Sequence, residues 1–359
     1  MGKSENMSEI VNEKDIILRT ESVSHHIEAD QTDSVSHPSP RTLFIEITTE
    51  CNLRCRQCHM WISREEPTTL STAEKLGLVT QYAQMAPGGG VVLTGGEPFT
   101  KLEEVIALSS ACRDLGLLSV VNTNGTVIPP SAIPRLLAEG PKHLVISLDS
   151  QHASLHDYVR NTIGAFETTM SLIQSLIRYR SNAATDVKIF LSSILFDQNI
   201  SDSPSYIEFA KDLGVDGVTF QMLEGTFQLR GKVDKFFERH WFTDSVLAKS
   251  AIDKLAALYE DDPFLLLSSD DLRSMKSYID HPHTLPNPVC GAHERNLVVD
   301  MRGNVQLCAY MKTLSGGQPI GNVRKASLSE MWNSEFAANI RPLMATCKRS
   351  CGMLNCNRK

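Results

Sequence analysis

Thr42-Leu43-Phe44-Ile45-Glu46-Ile47-Thr48-Thr49-Glu50-Cys51-Asn52-Leu53-Arg54-Cys55-Arg56-Gln57-Cys58 joins a β-rich run to three cysteines on one short loop. The strand is expected over Leu43–Thr48, and the cysteine spacing after it is C-x3-C-x2-C. Three thiolates on one loop can hold three irons of a cubane cluster and leave the fourth iron open. An open coordination position is what catalysis needs, whereas a structural metal site normally takes four protein ligands.

Outward from this loop the same strand signal recurs at Val91–Thr94, Leu117–Asn122, His143–Leu148, Val187–Phe196 and Gly217–Met222. Helical patterns fall between the strands, near 71–86, 101–114, 131–138, 164–180 and 203–213. Strand and helix alternating in this way predict βα units around a parallel sheet. Six units are too few for a closed eight-fold barrel, so the expected fold is α/β, a partial (β/α)6 TIM-like barrel. Functional residues then belong at the C-terminal strand ends, where the βα loops emerge.

Residues 1–40 form a separate stretch, with eight acidic residues, three basic ones and no Phe, Trp or Tyr. Such a stretch cannot bury enough apolar surface to offset its ordering entropy, so a disordered acidic tail is expected, with a short helix near Ile10–Leu18. The barrel core is placed at 41–225 and a helical connection at 226–289, with helices near 242–260 and 269–280 and a Pro-rich end at Pro286-Asn287-Pro288. Residues 290–359 form a small extension, in which Leu297–Asp300 and Val305–Leu307 flank Gly303 as a β-hairpin. A short helix at Ser327–Trp332 and a cysteine-rich tail follow.

Over the whole 359-residue chain, 42% of residues are hydrophobic and 21% charged, enough apolar material for a sizeable core. No apolar run approaches the length needed to span a membrane. The net charge of −7 and the lack of a basic stripe argue against nucleic acid as a partner. No secretory signal is evident, so a cytoplasmic chain with reduced thiols is expected. Its nine cysteines then read as metal ligands rather than disulfides. Three lie at 51–58 and five at 290–356, while Cys112 reads as a small buried apolar residue. His25, His26, His281, His283 and His293 have polar or Pro-rich flanks and read as solvated loop histidines.

The Cys51–Cys58 loop and Leu93-Thr94-Gly95-Gly96-Glu97-Pro98 after the second strand together resemble the radical S-adenosylmethionine (SAM) enzymes. The resemblance implies that Cys51, Cys55 and Cys58 ligate a SAM-binding 4Fe–4S cluster. Gly95, Gly96 and Glu97 would hold the methionine amino end: two glycines let backbone approach a ligand, and a carboxylate suits an ammonium group. Asn124 and Ser147, at the ends of the third and fourth strands, would lie near the ribose. His156-Asp157-Tyr158-Val159-Arg160 resembles a family stretch whose arginine meets the methionine carboxylate, which nominates Arg160. Ser192 and Met222 are candidates for ribose and adenine, with a sheet-packing serine and a core methionine as the competing readings. Many family members carry an aromatic residue before the third cysteine, where this chain has Gln57.

The C-terminal pattern of Cys290, Gly303 and Cys308, followed by Cys347, Cys351 and Cys356, resembles the SPASM or twitch extension of that family, which binds auxiliary 4Fe–4S clusters. Two auxiliary clusters need about seven or eight thiolates and five are available, so one auxiliary 4Fe–4S cluster is expected. Its ligands would be Cys290, Cys308 and Cys347, with Cys351 or Cys356 as the fourth. A four-cysteine zinc site is the alternative. A spare Cys356 could serve as a hydrogen-atom donor in an epimerisation.

The resemblance implies reductive cleavage of SAM to a 5′-deoxyadenosyl radical, which abstracts hydrogen from a peptide or small natural-product precursor. Dehydrogenation, epimerisation and cross-linking are open outcomes, and an aminoglycoside-type sugar is the alternative substrate. A flavodoxin- or ferredoxin-type electron donor is the expected partner. Sulfatase maturation is disfavoured, because Ala309 stands where the maturases carry an acidic base after the hairpin cysteine. A non-catalytic iron–sulfur or zinc protein would have no use for Glu97 beside an open iron.

Overall fold

Six strands run parallel and in chain order: β1 (Thr42–Thr48), β2 (Gly90–Gly95), β3 (Leu118–Thr123), β4 (His143–Ser147), β5 (Lys188–Leu195) and β6 (Gly217–Met222). The computed structural model describes residues 37–58, 60–62, 69–182, 185–225, 235–259, 262–282, 290–311 and 314–349. Cys351, Cys356, the Ile10–Leu18 segment, His25, His26, His283 and Pro286-Asn287-Pro288 lie outside the described residues. Between the strands stand α1 (Thr72–Met85), α2 (Leu102–Asp114), α3 (Ile133–Glu139), α4 (Ala153–Arg160), α5 (Ala165–Asn182) and α6 (Ser203–Leu213). These are the strands and helices of a partial barrel.

Strand periodicity sorts the side chains onto two faces. Leu43 and Ile45 lie in register with Val91 and Leu93, Leu93 with Val121, and Val121 with Leu144. All of them belong to one core with Leu78, Val79 and Tyr82 of α1. The alternate positions form the opposite face, where Ser147, Ser192 and Thr219 are register neighbours on β4, β5 and β6.

The predicted hairpin is present as β7 (Asn296–Val299) and β8 (Asn304–Gln306). It does not stand apart from the barrel: β7 pairs in parallel with β1, Thr42 opposite Asn296 and Ile45 opposite Val299. A short β9 (Gly321–Asn322) completes a nine-stranded sheet in the order β6-β5-β4-β3-β2-β1-β7-β8-β9. At the hairpin turn Gly303 has φ +82°, and a Cβ there would sit 2.7 Å from Val323. Glycine therefore satisfies both the left-handed backbone and the close approach of the chain beyond β9.

The segment between β6 and β7 contains α7 (Lys235–His240), α8 (Ser245–Tyr259) and α9 (Ser269–Asp280). It also covers the open edge of β6: Val218 N–H donates to Phe264 O and Leu266 N–H to Val218 O, both at 2.8 Å. This bridge satisfies the backbone N–H and C=O of Val218 on the edge strand. After β7 and its preceding turn of helix α10 (Ala292–Arg295), the chain closes with α11 (Leu328–Trp332) and α12 (Glu335–Ala345). Ser71 and Glu74 form a capping box on α1, and Arg324 from the extension bonds the same Glu74. Trp332 is 1% exposed and its indole donates to Pro38 O at 3.1 Å. The extension is thus fastened to the first helix and to the entry of β1.

Candidate active site at the barrel rim

The end of β2 is sewn to the loop that leaves β1. Gly96 N–H donates to Thr48 O at 2.6 Å and Glu97 N–H to Glu50 O at 2.8 Å. Gly95 has φ +136°, and a Cβ on Gly95 or Gly96 would overlap the Thr48 or Glu50 carbonyl. The two glycines were expected to admit a ligand to the backbone. What they admit here is the backbone that leads directly into Cys51.

Glu97 is 1% exposed, with Oε1 accepting from Thr123 Oγ1 (2.7 Å) and Phe99 N–H (3.1 Å) and Oε2 from Asn124 N–H (2.7 Å). Burial pushes its carboxyl above the ordinary range, and these three donors and the charge of Arg160 oppose that shift. A carboxylate offers about four acceptor positions, so room remains on Oε2 for one more donor. An ammonium group is the ligand such a held carboxylate suits.

Each cysteine sulfur of the β1 loop meets a donor from the chain. Asn124 Nδ2 lies 3.9 Å from Cys51 Sγ, Arg160 Nη1 lies 3.9 Å from Cys55 Sγ, and Met60 N–H donates to Cys58 Sγ at 3.5 Å. Burial raises all three thiols, Cys58 to about 11. Donors suited to thiolates, at sulfurs whose burial penalises bare thiolates, fit metal-bound cysteines. The residues present therefore fit an iron–sulfur cluster with an open position.

The loop is docked on the last turn of α4. Arg56 N–H donates to Val159 O at 2.9 Å, and its Nε donates to Tyr158 O at 2.8 Å. Its guanidinium also stacks 4.5 Å from the Tyr158 ring centre. Arg160 itself is buried and paired with Asp149, Nη2 to Oδ2 at 2.9 Å. Gln57 is buried as well, with no partner for its Oε1 among the described residues.

The remaining sequence candidates separate by face. Ser147 and Ser192 are half-buried on the face opposite the core, side by side. Asn124 sits at the rim but spends its amide on Cys51, on Asn52 Oδ1 (2.9 Å) and on the Thr126 turn. Met222 shares strand parity with Val218 and Phe220 and belongs to the core. Thr219 and Gln221 take the opposite face of β6, a distinction that the alternation of the strand already carried. Cys112 is a buried core residue, its thiol pushed to about 12 by burial.

A second cysteine group forms at the extension. Cys290 precedes β7 and Cys308 follows β8, so both lie at the end of the hairpin away from the Gly303 turn. Because β7 runs parallel and in register with β1, the two cysteine groups stand at opposite ends of that strand pair. Cys290 accepts from the amides of Ala292 and His293, and Cys308 from those of Tyr310 and Met311. Burial raises both thiols, Cys308 to about 12, and a charge on Cys347 would push both in the same direction. His293, expected in a solvated loop, is buried beneath α12: Arg341 Nε donates to its carbonyl at 3.2 Å.

One pair escaped the sequence reading. Glu224, two residues beyond β6, is buried and accepts from Tyr310 Oη at 3.0 Å. Tyr310 lies two residues beyond Cys308, so this bond ties the barrel rim to the second cysteine group. An ionisable residue just past an otherwise apolar strand end was the available signal.

Beneath the rim, His156 is fully buried, with Nδ1 accepting from Asp149 N–H at 3.1 Å. Desolvation and the charge of Arg160 lower its pKa to about 2. A base with a depressed folded pKa gives stability that is present above its unfolded pKa, about 6.5, and lost as pH falls. Stability is therefore expected to fall by about 1.4 kcal/mol per pH unit below 6.5 from this residue alone. Chemical denaturation between pH 7 and 5 checks this, with His156→Asn showing the shallower slope.

The family model described as the radical SAM superfamily matches residues 45–210, and that of an iron–sulfur cluster-binding domain matches residues 290–357. The chain is 27% identical over 315 residues to the AdoMet-dependent heme synthase of Methanosarcina barkeri, covering 84% of this chain and 85% of that one. It is 24% identical over 335 residues to the antilisterial bacteriocin subtilosin biosynthesis protein AlbA of Bacillus subtilis, covering 91% of this chain and 67% of AlbA. In fold it is similar to native anSMEcpe with bound AdoMet and the Cp18Cys peptide, at TM-score 0.62 and 16% identity, covering 89% of this chain and 88% of that one.

Proposed function

Because the chain belongs to the radical SAM superfamily and carries a SPASM-type iron–sulfur domain, we propose that it oxidises an unactivated C–H position of a small natural-product precursor. Its cofactors are 4Fe–4S clusters, auxiliary as well as SAM-binding, and SAM. When bound, they supply an electron to the SAM sulfonium and so a 5′-deoxyadenosyl radical that abstracts hydrogen.

In this reading Cys51, Cys55 and Cys58 ligate the SAM-binding cluster, and the observation that supports it is the donor aimed at each of their sulfurs. Glu97 receives the methionine ammonium on its remaining acceptor position. Arg160 faces the methionine carboxylate, and Ser147 and Ser192 face the ribose. Cys290, Cys308, Cys347 and one of Cys351 and Cys356 would hold the auxiliary cluster, which when bound would supply an acceptor for the substrate's electron. Glu224, held by Tyr310 between barrel and extension, accepts the proton that leaves with it. The barrel spans 41–225, the helical connection 226–289 and the auxiliary domain 290–359.

Similarity along 85% of a heme synthase supports the small-molecule substrate. A peptide substrate is the second reading, favoured by the similarity to AlbA. Among the described residues no helix is long and apolar enough to cross a membrane, and we place the protein in the cytoplasm with a flavodoxin- or ferredoxin-type donor. The test is anaerobic turnover with dithionite and SAM. 5′-Deoxyadenosine and methionine are expected from the wild type and neither from Cys55→Ala; equal amounts from both would refute the ligand assignment. Stimulation by an iron porphyrin precursor separates the small-molecule reading from stimulation by a cysteine-containing peptide.

A further inference from the structure

Arg160 is fixed from one side and aimed from the other. Nη2 pairs with Asp149 Oδ2 at 2.9 Å, and Nη1 points at Cys55 Sγ at 3.9 Å. Asp149 cannot swing away, because its whole residue is held. Its N–H donates to His156, and Ile194 N–H donates to its Oδ1 at 3.3 Å. Its carbonyl accepts from Ser193 Oγ (3.2 Å) and Asn199 Nδ2 (2.8 Å). Both members of the ion pair are buried. A buried ion pair stabilises little by itself, but a rigid guanidinium presents a second N–H in a set direction.

We infer that Arg160 is a positioning residue for the cluster itself: its fixed N–H and charge at Cys55 raise the reduction potential of the SAM-binding cluster, whether or not SAM is present. Reduction adds negative charge to the cluster and its thiolates, and a charge-assisted donor at a ligand sulfur stabilises that charge. Asn124 at Cys51 is a neutral donor and contributes in the same direction more weakly. The inference rests on the assignment of Cys51, Cys55 and Cys58 as the cluster ligands, and it separates two roles of one guanidinium. A residue that acts solely as a carboxylate clamp changes SAM affinity and leaves the SAM-free cluster unaltered.

The experiment is a potentiometric titration of SAM-free, anaerobically reconstituted protein, followed by the EPR signal of the reduced cluster. The signal that disappears in Cys51→Ala/Cys55→Ala/Cys58→Ala protein belongs to the cluster in question. If that variant loses no signal, the ligand assignment fails rather than the inference. The variants are Arg160→Gln and Arg160→Lys, the second keeping Asp149 paired so that the protein still folds. Both are expected to shift the midpoint to more negative potential, Gln further than Lys. Should the Gln protein fail to fold, the Lys shift alone decides. Midpoints equal to wild type, with only SAM affinity reduced, would overturn the inference.

Discussion

Replacing Gly96 by alanine is expected to abolish 5′-deoxyadenosine formation while leaving the barrel folded. The added Cβ would overlap the carbonyl of Glu50, and the atoms it meets are backbone, which cannot rotate aside. Relief requires the β2 end to part from the β1 loop, breaking the bonds from Gly96 N–H to Thr48 O and from Glu97 N–H to Glu50 O. Glu50 adjoins Cys51, so the cluster loop moves with it. Two lost backbone bonds cost about 1–3 kcal/mol in stability, a modest part of the total for a domain of this size. A loss of SAM affinity of about a hundredfold or more, measured by calorimetry on the reconstituted protein, is the expected sign, since a misplacement of about an ångström at such a site is enough to cost that much. Wild-type SAM affinity in this variant would mean that the β1–β2 junction does not set the site.

Cys308→Ala should act on the other half of the chemistry. Iron content is expected to fall from about eight to about four per chain, because Cys308 is one of the two auxiliary ligands that the β7–β8 hairpin itself would fix in place. SAM cleavage should continue, since the β1 loop and Glu97 are untouched. The oxidised product should disappear, because the substrate's electron then has no acceptor. The separation of the two cysteine groups to opposite ends of the β1–β7 pair is the reason the effects divide in this way. Product formation at the wild-type rate with four irons would remove the auxiliary site from the reaction.

The residues that could be read from sequence are those whose signal is local. The strands, the C-x3-C-x2-C loop and Gly95–Pro98 each lie within one short segment, and the structure has the strands in place and brings the two motifs together at one rim. What sequence reading missed depends on contacts between distant segments. The pairing of β7 with β1 joins residues some 250 positions apart, and nothing in either strand names the other. The donors at Cys51 and Cys55 come from the residue just beyond β3 and from α4, so the roles of Asn124 and Arg160 at sulfur are visible only once the sheet is assembled. His293 reads as polar-flanked, yet a four-residue helix under α12 buries it. Met222 is the exception: the sequence reading leaves it between an adenine contact and a core methionine, a choice that alternation with Val218 and Phe220 could have made.

The central claim, that Cys51, Cys55 and Cys58 hold one cluster and the C-terminal cysteines another, is tested most directly by iron and sulfide analysis after anaerobic reconstitution. The comparison is wild type against the protein with Cys51, Cys55 and Cys58 all changed to Ala. About eight irons falling to about four, with loss of SAM cleavage, is the predicted result. About four irons falling to none would contradict it, because the C-terminal cysteines would then hold no iron and the auxiliary oxidation proposed for them could not occur.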